Sequence, residues 1–168
     1  MLGHGAGGSV DAPDLRAAAR VALDLGWTVV SVEQPYKVAG KRSPPVAAKL
    51  DAAWLTVLEA LDLGDGPLVV GGRSSGARVA CRTAGAAGAA GVLCLAFPLI
   101  PPGGPSKTRA PELDAVEVPV LIVQGTSDRF GMPEPAPDRQ IVAIRGDHGL
   151  KSDLPAVADA VRDWLAER

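Results

Sequence analysis

Hydrophobic residues in this chain gather in short runs separated by amphipathic stretches. Trp27 to Val32, Pro67 to Gly71, Gly91 to Phe97, Val118 to Gln124 and Gln140 to Ile144 are apolar and rich in β-branched residues, and each reads as a buried strand. Between them, apolar positions recur at helical spacing. A helix is predicted from Asp14 to about Leu25, capped by Asp11, opened by Pro13 and ended by Gly26. Val46 to Leu61 aligns Val46, Leu50, Ala53, Trp54, Val57, Leu58 and Leu61 along one stripe. Ser75 to Ala87 and Leu154 to Leu165 are the remaining helices, and Glu33 to Pro45 and Leu99 to Val116 read as loops. Strands alternating with helices predict a doubly wound, mostly parallel α/β sheet with helices on both faces. Nothing repeats. The stretch from Pro98 to Pro111 is a loop over a sheet edge, because a strand follows it within the same alternation. Residues 1–168 therefore form one domain.

Composition narrows the function classes. The 168 residues suffice for one substantial core, and 47% hydrophobic with 21% charged residues is ordinary for a globular protein. The formal net charge of −2 gives no electrostatic case for nucleic acid or an anionic membrane as partner. Cys81 and Cys94 lie in apolar segments and read as buried thiols, without disulfide or zinc spacing. No apolar run is long enough to span a bilayer and no signal-peptide pattern is visible, so the expected compartment is the cytoplasm. The Ala, Gly and Arg richness fits a GC-rich bacterial genome.

The chemistry concentrates where strands end. Gly72-Arg73-Ser74-Ser75-Gly76 joins an apolar run to a helix-forming stretch, the strand, G-x-S-x-G, helix layout of a nucleophile elbow. Such a turn exposes the Ser74 hydroxyl and aims the Ser75 N–H at the same point, giving a nucleophile and one oxyanion donor. The competing reading of Ser74 is a helix-capping serine at a glycine turn. A serine nucleophile needs a base, and the base needs an orienting carboxylate. Of the two histidines, His148 follows the run Ile141 to Ile144, and Asp128 follows Val120 to Val123. Asp147 competes as the carboxylate but adjoins His148 and folds back onto it with difficulty. His4 reads as a loop-anchoring hydrogen-bond residue. Arg73 is either an internally paired arginine or, with Lys41, Arg42, Lys107, Arg109 and Arg129, part of a cationic rim for acidic substrates; Arg73, Arg42 and Arg109 are the substrate-binding candidates.

The alternation, with His4-Gly5-Ala6-Gly7-Gly8, the Ser74 turn, Gly125-Thr126-Ser127-Asp128 and Gly146-Asp147-His148-Gly149, resembles the α/β-hydrolase superfamily. The nearest likeness is its small, lidless branch related to dienelactone hydrolases and testis-expressed hydrolase-like proteins. Phe97-Pro98-Leu99 followed by Pro101-Pro102-Gly103 adds to it, although a histidine commonly stands where this chain has Ile100. The resemblance implies Ser74, Asp128 and His148 as catalytic triad. It also implies the Ala6 N–H, with Gly5 beside it, as the second half of the oxyanion hole. The expected activity is cleavage of a small ester, lactone or thioester through an acyl-enzyme, with no cofactor and no metal. The alternative is a catalytically silent scaffold that binds a partner protein, a use this branch also has. Nucleotide binding is disfavoured, since no G-x-G-x-x-G follows the first strand. In the family the His-Gly-Ala-Gly segment follows a central strand with two more before it. Only Met1-Leu2-Gly3 precede His4, so the expected fold lacks the first strands, its chain is truncated, and a bare sheet edge invites self-association.

Overall fold

The computed structural model describes residues 1–102 and 104–168; Gly103, in the Pro101-Pro102-Gly103 motif, lies outside the described residues. The elements in chain order are β1 (Leu2–Gly3), α1 (Pro13–Asp24), β2 (Ser31–Val32), α2 (Pro35–Val38), α3 (Ala47–Glu59), β3 (Val69–Arg73), α4 (Ser75–Thr83), β4 (Gly91–Leu95), a short 3-10 turn (Pro105–Lys107), α5 (Ala110–Asp114), β5 (Val120–Gly125), β6 (Arg139–Ile144) and α6 (Leu154–Leu165). The six strands form one sheet in the order β2-β1-β3-β4-β5-β6, with every neighbouring pair parallel.

Period-two alternation splits the continuous apolar strands between two cores. Val70, Val92, Cys94, Val120 and Ile122 face Leu50 and Trp54 of α3, Val79 and Ala80 of α4 and Leu113 of α5. Val69, Leu93, Leu95, Leu121 and Val123 face Leu15 and Val21 of α1 and Val157, Val161 and Trp164 of α6. Both thiols are buried and free, with Cys81 Sγ and Cys94 Sγ 3.5 Å apart. Among the described residues, no helix is long and apolar enough to cross a membrane.

The fold class agrees with the sequence reading, and several elements differ in detail. The central position expected to be vacant is occupied: Leu2–Gly3 pairs with Ser31–Val32 on one side and Gly71–Gly72 on the other. Two residues are too short a run for hydrophobic periodicity to register. The Trp27–Val32 strand contracts to Ser31–Val32, because β1 offers only two residues to pair with; the Val30 carbonyl still accepts the Leu2 N–H at 2.8 Å. The expected loops hold α2 and α5, each with proline in its first turn, where the missing N–H costs nothing. Asp11 does not cap α1. Ala12 occupies the cap position, and no side chain accepts a hydrogen bond there. By contrast, Asp153 caps α6, accepting from the Ala156 N–H at 3.1 Å.

The strand order reverses between β1 and β3: the chain leaves β1 toward β2 and leaves β3 toward β4. Parallel α/β sheets open a crevice at the carboxyl end of such a switch point. The segments beginning at His4 and Ser74 both start there.

Candidate active site

Ser74 links β3 to α4 with φ 52° and ψ −107°, a positive-φ conformation strained for a residue with a Cβ. The Leu95 carbonyl helps hold it, accepting the Ser74 N–H at 2.9 Å. The turn closes because its flanking glycines lie against β1. A Cβ on Gly72 or Gly76 would stand 2.3 or 2.2 Å from the Gly3 carbonyl oxygen. The Ser75 N–H, in the first turn of α4, has no intrahelical acceptor.

Asp128 follows β5 in a tight turn, its N–H donating to the Gly125 carbonyl at 3.1 Å. Gly125 is required here too, since a Cβ would stand 2.5 Å from the carbonyl oxygens of Gly146 and Asp147 in the facing loop. That loop carries His148. Ser127 locks the two together, its N–H and Oγ reaching the Gly146 carbonyl at 2.9 and 2.8 Å.

The structure brings Ser74, His148 and Asp128 into one hydrogen-bonded line. His148 Nε2 is 2.9 Å from Ser74 Oγ, and His148 Nδ1 is 2.8 Å from Asp128 Oδ2. The carboxylate can only accept, so Nδ1 carries the proton and Nε2 is left to accept from the serine hydroxyl. The Asp128 side chain is wholly buried; its Oδ1 accepts the Phe130 N–H and its Oδ2 the Gln124 Nε2, each at 2.9 Å. The Phe130 ring meets His148 edge-on, with centroids 4.6 Å apart. Asp147 instead turns back to accept the Gly149 N–H at 2.8 Å.

The His4–Gly8 segment lies beside the serine: a Cβ on Gly5 would be 3.4 Å from Ser74 Cβ. His4 is buried and fixed as a neutral tautomer, accepting the Gln34 N–H at Nε2 (2.9 Å) and donating from Nδ1 to the Gly5 carbonyl (2.7 Å). Tyr36 Oη donates to the Ala6 carbonyl at 2.7 Å, and burial pushes the phenol's pKa up. These bonds hold the segment by its carbonyls, and the Gly8 N–H closes it by donating to the Gly5 carbonyl at 3.1 Å.

The three candidate substrate arginines stand apart from one another. Arg73 turns inward, donating to the His148 carbonyl at 2.8 Å and lying 2.9 Å from Asp14. Arg109 donates to the Pro98 carbonyl at 2.9 Å, and its pKa is lowered by burial and then by Arg78. Arg42 sits on an exposed loop. An open depression of about 420 Å³ adjoins the serine-bearing turn, bordered by Gly7, Gly8, Ser9, Arg73 and Lys151. Among the described residues no cluster of potential metal ligands occurs.

Sequence reasoning did not single out Gln124, Tyr36, Phe130 or Asp14 for the site. Only Gln124 carried a usable signal, as the one polar side chain closing an otherwise apolar strand.

Residues 1–153 match a family described as an alpha/beta hydrolase domain. No curated protein matches the chain. Among solved structures, a hydrolase of the α/β superfamily from Xanthomonas campestris pv. campestris is 22% identical with a TM-score of 0.76, covering 99% of this chain and 97% of that one. Est1E from Butyrivibrio proteoclasticus, with ferulic acid bound, is 18% identical with a TM-score of 0.80, covering 99% and 87%. An α/β serine hydrolase without a lid, from Xanthomonas campestris, is 21% identical with a TM-score of 0.75, covering 97% and 81%.

Proposed function

Because the chain belongs to the alpha/beta hydrolase domain family, we propose that it is a serine hydrolase cleaving a small carboxylic ester, lactone or thioester through an acyl-enzyme. The observation that carries this reading is the continuous line from Ser74 Oγ through His148 to Asp128, with contacts of 2.9 and 2.8 Å. Ser74 Oγ attacks the substrate carbonyl while His148 Nε2 takes its proton. Asp128 keeps the imidazole in the required tautomer and stabilises the imidazolium. The carbonyl oxygen becomes an oxyanion facing the N–H groups of Ser75 and Ala6, with Gly5 leaving the backbone room to approach; one such donor is worth about 3 kcal/mol in the transition state. The C–O or C–S bond then breaks, and the leaving group departs with the proton from His148. Water repeats the sequence on the acyl-serine, giving the acid and free Ser74.

The strained elbow supports the same reading, since positive φ at a serine costs about 1–3 kcal/mol that a mere helix cap has no need to incur.

The test is intact-mass labelling with a fluorophosphonate, run beside Ser74→Ala. One adduct per chain, absent from the variant, is the expected result. A folded protein that gains no mass would overturn the hydrolase reading in favour of a silent scaffold.

A further inference from the structure

Arg73 immediately precedes Ser74, and its guanidinium reaches three other segments that build the site. Nη2 donates to the His148 carbonyl at 2.8 Å. Nε lies 2.9 Å from Asp14 Oδ2, in the first turn of α1. Nη1 would be 3.0 Å from a Cβ on Gly5, so the His4–Gly8 segment packs on the same group. The Arg73 side chain is only 18% exposed and that of Asp14 0%, which puts the pair beneath the site.

Stability does not account for this pair. Burial raises the Asp14 carboxyl's pKa, and the attraction of Arg73 and the Leu15 N–H only partly opposes it. Although close to Nε, Asp14 Oδ2 has no well-aligned hydrogen bond. Replacing buried ion pairs by neutral groups is often neutral or stabilising, so the pair needs another explanation. The guanidinium supplies one: it is a planar, rigid fork. With one edge on Asp14 and one prong on the His148 carbonyl, it fixes the main chain from which the imidazole projects. That imidazole must meet both Ser74 Oγ and Asp128 Oδ2.

We infer that Arg73 is a positioning residue for His148, held in orientation by Asp14. It sets the base between serine and carboxylate and packs the oxyanion segment beside Ser74, without contacting the reacting atoms. Its effect on rate rests on the hydrolase reading; its effect on the imidazole does not.

The experiment compares wild type with Arg73→Gln, Arg73→Lys and Asp14→Asn by two readouts. One is the second-order rate of fluorophosphonate labelling at Ser74. The other is the ring N–H proton resonance of His148, which reports the bond to Asp128 without any reaction; buried His4 is the internal reference. Arg73→Gln is expected to label about 10- to 100-fold more slowly, the scale of a misplaced catalytic group, and to lose the His148 resonance while that of His4, anchored at both ring nitrogens, persists. Arg73→Lys keeps the charge but cannot bridge both partners, and should fall between. Asp14→Asn keeps the acceptor for the Leu15 N–H; it should label more slowly with an unchanged or higher melting temperature, a split that a purely structural role would not produce. Wild-type rate and resonance in Arg73→Gln would overturn the inference. If that variant fails to fold, the same result in Asp14→Asn overturns it. Should wild type never label while Arg73→Gln still loses the His148 resonance, the hydrolase reading falls and the positioning role stands.

Discussion

Gln124 shares the Asp128 Oδ2 oxygen with His148. Its Nε2 lies 2.9 Å from Asp128 Oδ2, 2.9 Å from the Gly131 carbonyl and 3.1 Å from that of Phe97. All three partners can only accept, so the amide has one workable orientation; flipped, it would set oxygen against oxygen. Its own Oε1 is buried and unpartnered, a cost tolerated to keep a donor on the carboxylate. Gln124→Leu removes that donor and should destabilise the fold by about 1–3 kcal/mol, with slower fluorophosphonate labelling. Gln124→Glu sets a second carboxyl against Asp128, and two such groups cannot both ionise freely. Its labelling rate relative to wild type should fall as pH rises, because the neutral acid can still donate and the carboxylate cannot; a ratio independent of pH would contradict this role. Ser74, Asp128 and His148 could be picked out in the sequence because each follows an apolar run at a glycine-bearing turn. Gln124 and Arg73 could not be assigned, since spacing says nothing of where a long side chain points. In G-x-S-x-G the second position is equally open to an outward cation and to the inward fork observed.

At the level of elements, the site depends on how closely α4 approaches β1. Gly76 lies in the first turn of α4, and a Cβ there would stand 2.2 Å from the Gly3 oxygen, 2.5 Å from the Gly3 carbon and 3.0 Å from the His4 oxygen. These are backbone atoms of a central strand and cannot swing aside, so Gly76→Ala must push the helix off the sheet. A loss of about 3 kcal/mol is expected, at the upper end for overpacking, together with loss of labelling as the Ser75 N–H and the Gly5 segment separate. Gly85 is the control: nothing lies within 4 Å of its added Cβ and its φ is not positive. Gly85→Ala should be neutral or stabilising by up to about 1 kcal/mol, through the unfolded chain. Urea denaturation of the two variants checks both, and equal midpoints would refute the steric argument. The strands from β3 to β6 were legible because they are long, apolar and bounded by turn residues. β1 was not: two residues carry no period, and it is the register with Ser31–Val32 and Gly71–Gly72 that reveals the strand on which the elbow closes.

Across the whole molecule, the Asp14–Arg73 pair makes folding stability depend on pH. Asp14 opens α1 on one face of the sheet, while Arg73 ends β3 beside the site, so ionisation at one end of a helix bears on the entire fold. The groups around Asp14 are Arg73, the Leu15 N–H and, across the shared depression, Asp11 and Lys151. Its carboxyl's pKa is raised above the ordinary 3.8, chiefly by burial. A carboxyl raised in this way keeps its proton to higher pH in the folded protein than in the unfolded chain. The stability it contributes is therefore fully present below 3.8 and is lost as pH rises through the folded-state value. Asp14→Asn mimics the protonated form and removes the dependence. The two proteins should melt together at the acid end, and the variant should gain on wild type as pH rises through the folded-state value of Asp14, then run parallel. Paired melting curves across that range test the sign directly. A variant that is less stable at neutral pH would mean that the attraction to Arg73 outweighs the desolvation of Asp14, and the pair would then be a source of stability. With the predicted sign, once pH passes its folded-state value the Asp14 carboxylate is a buried charge that weakens the fold, kept beside the arginine that reaches the His148 carbonyl.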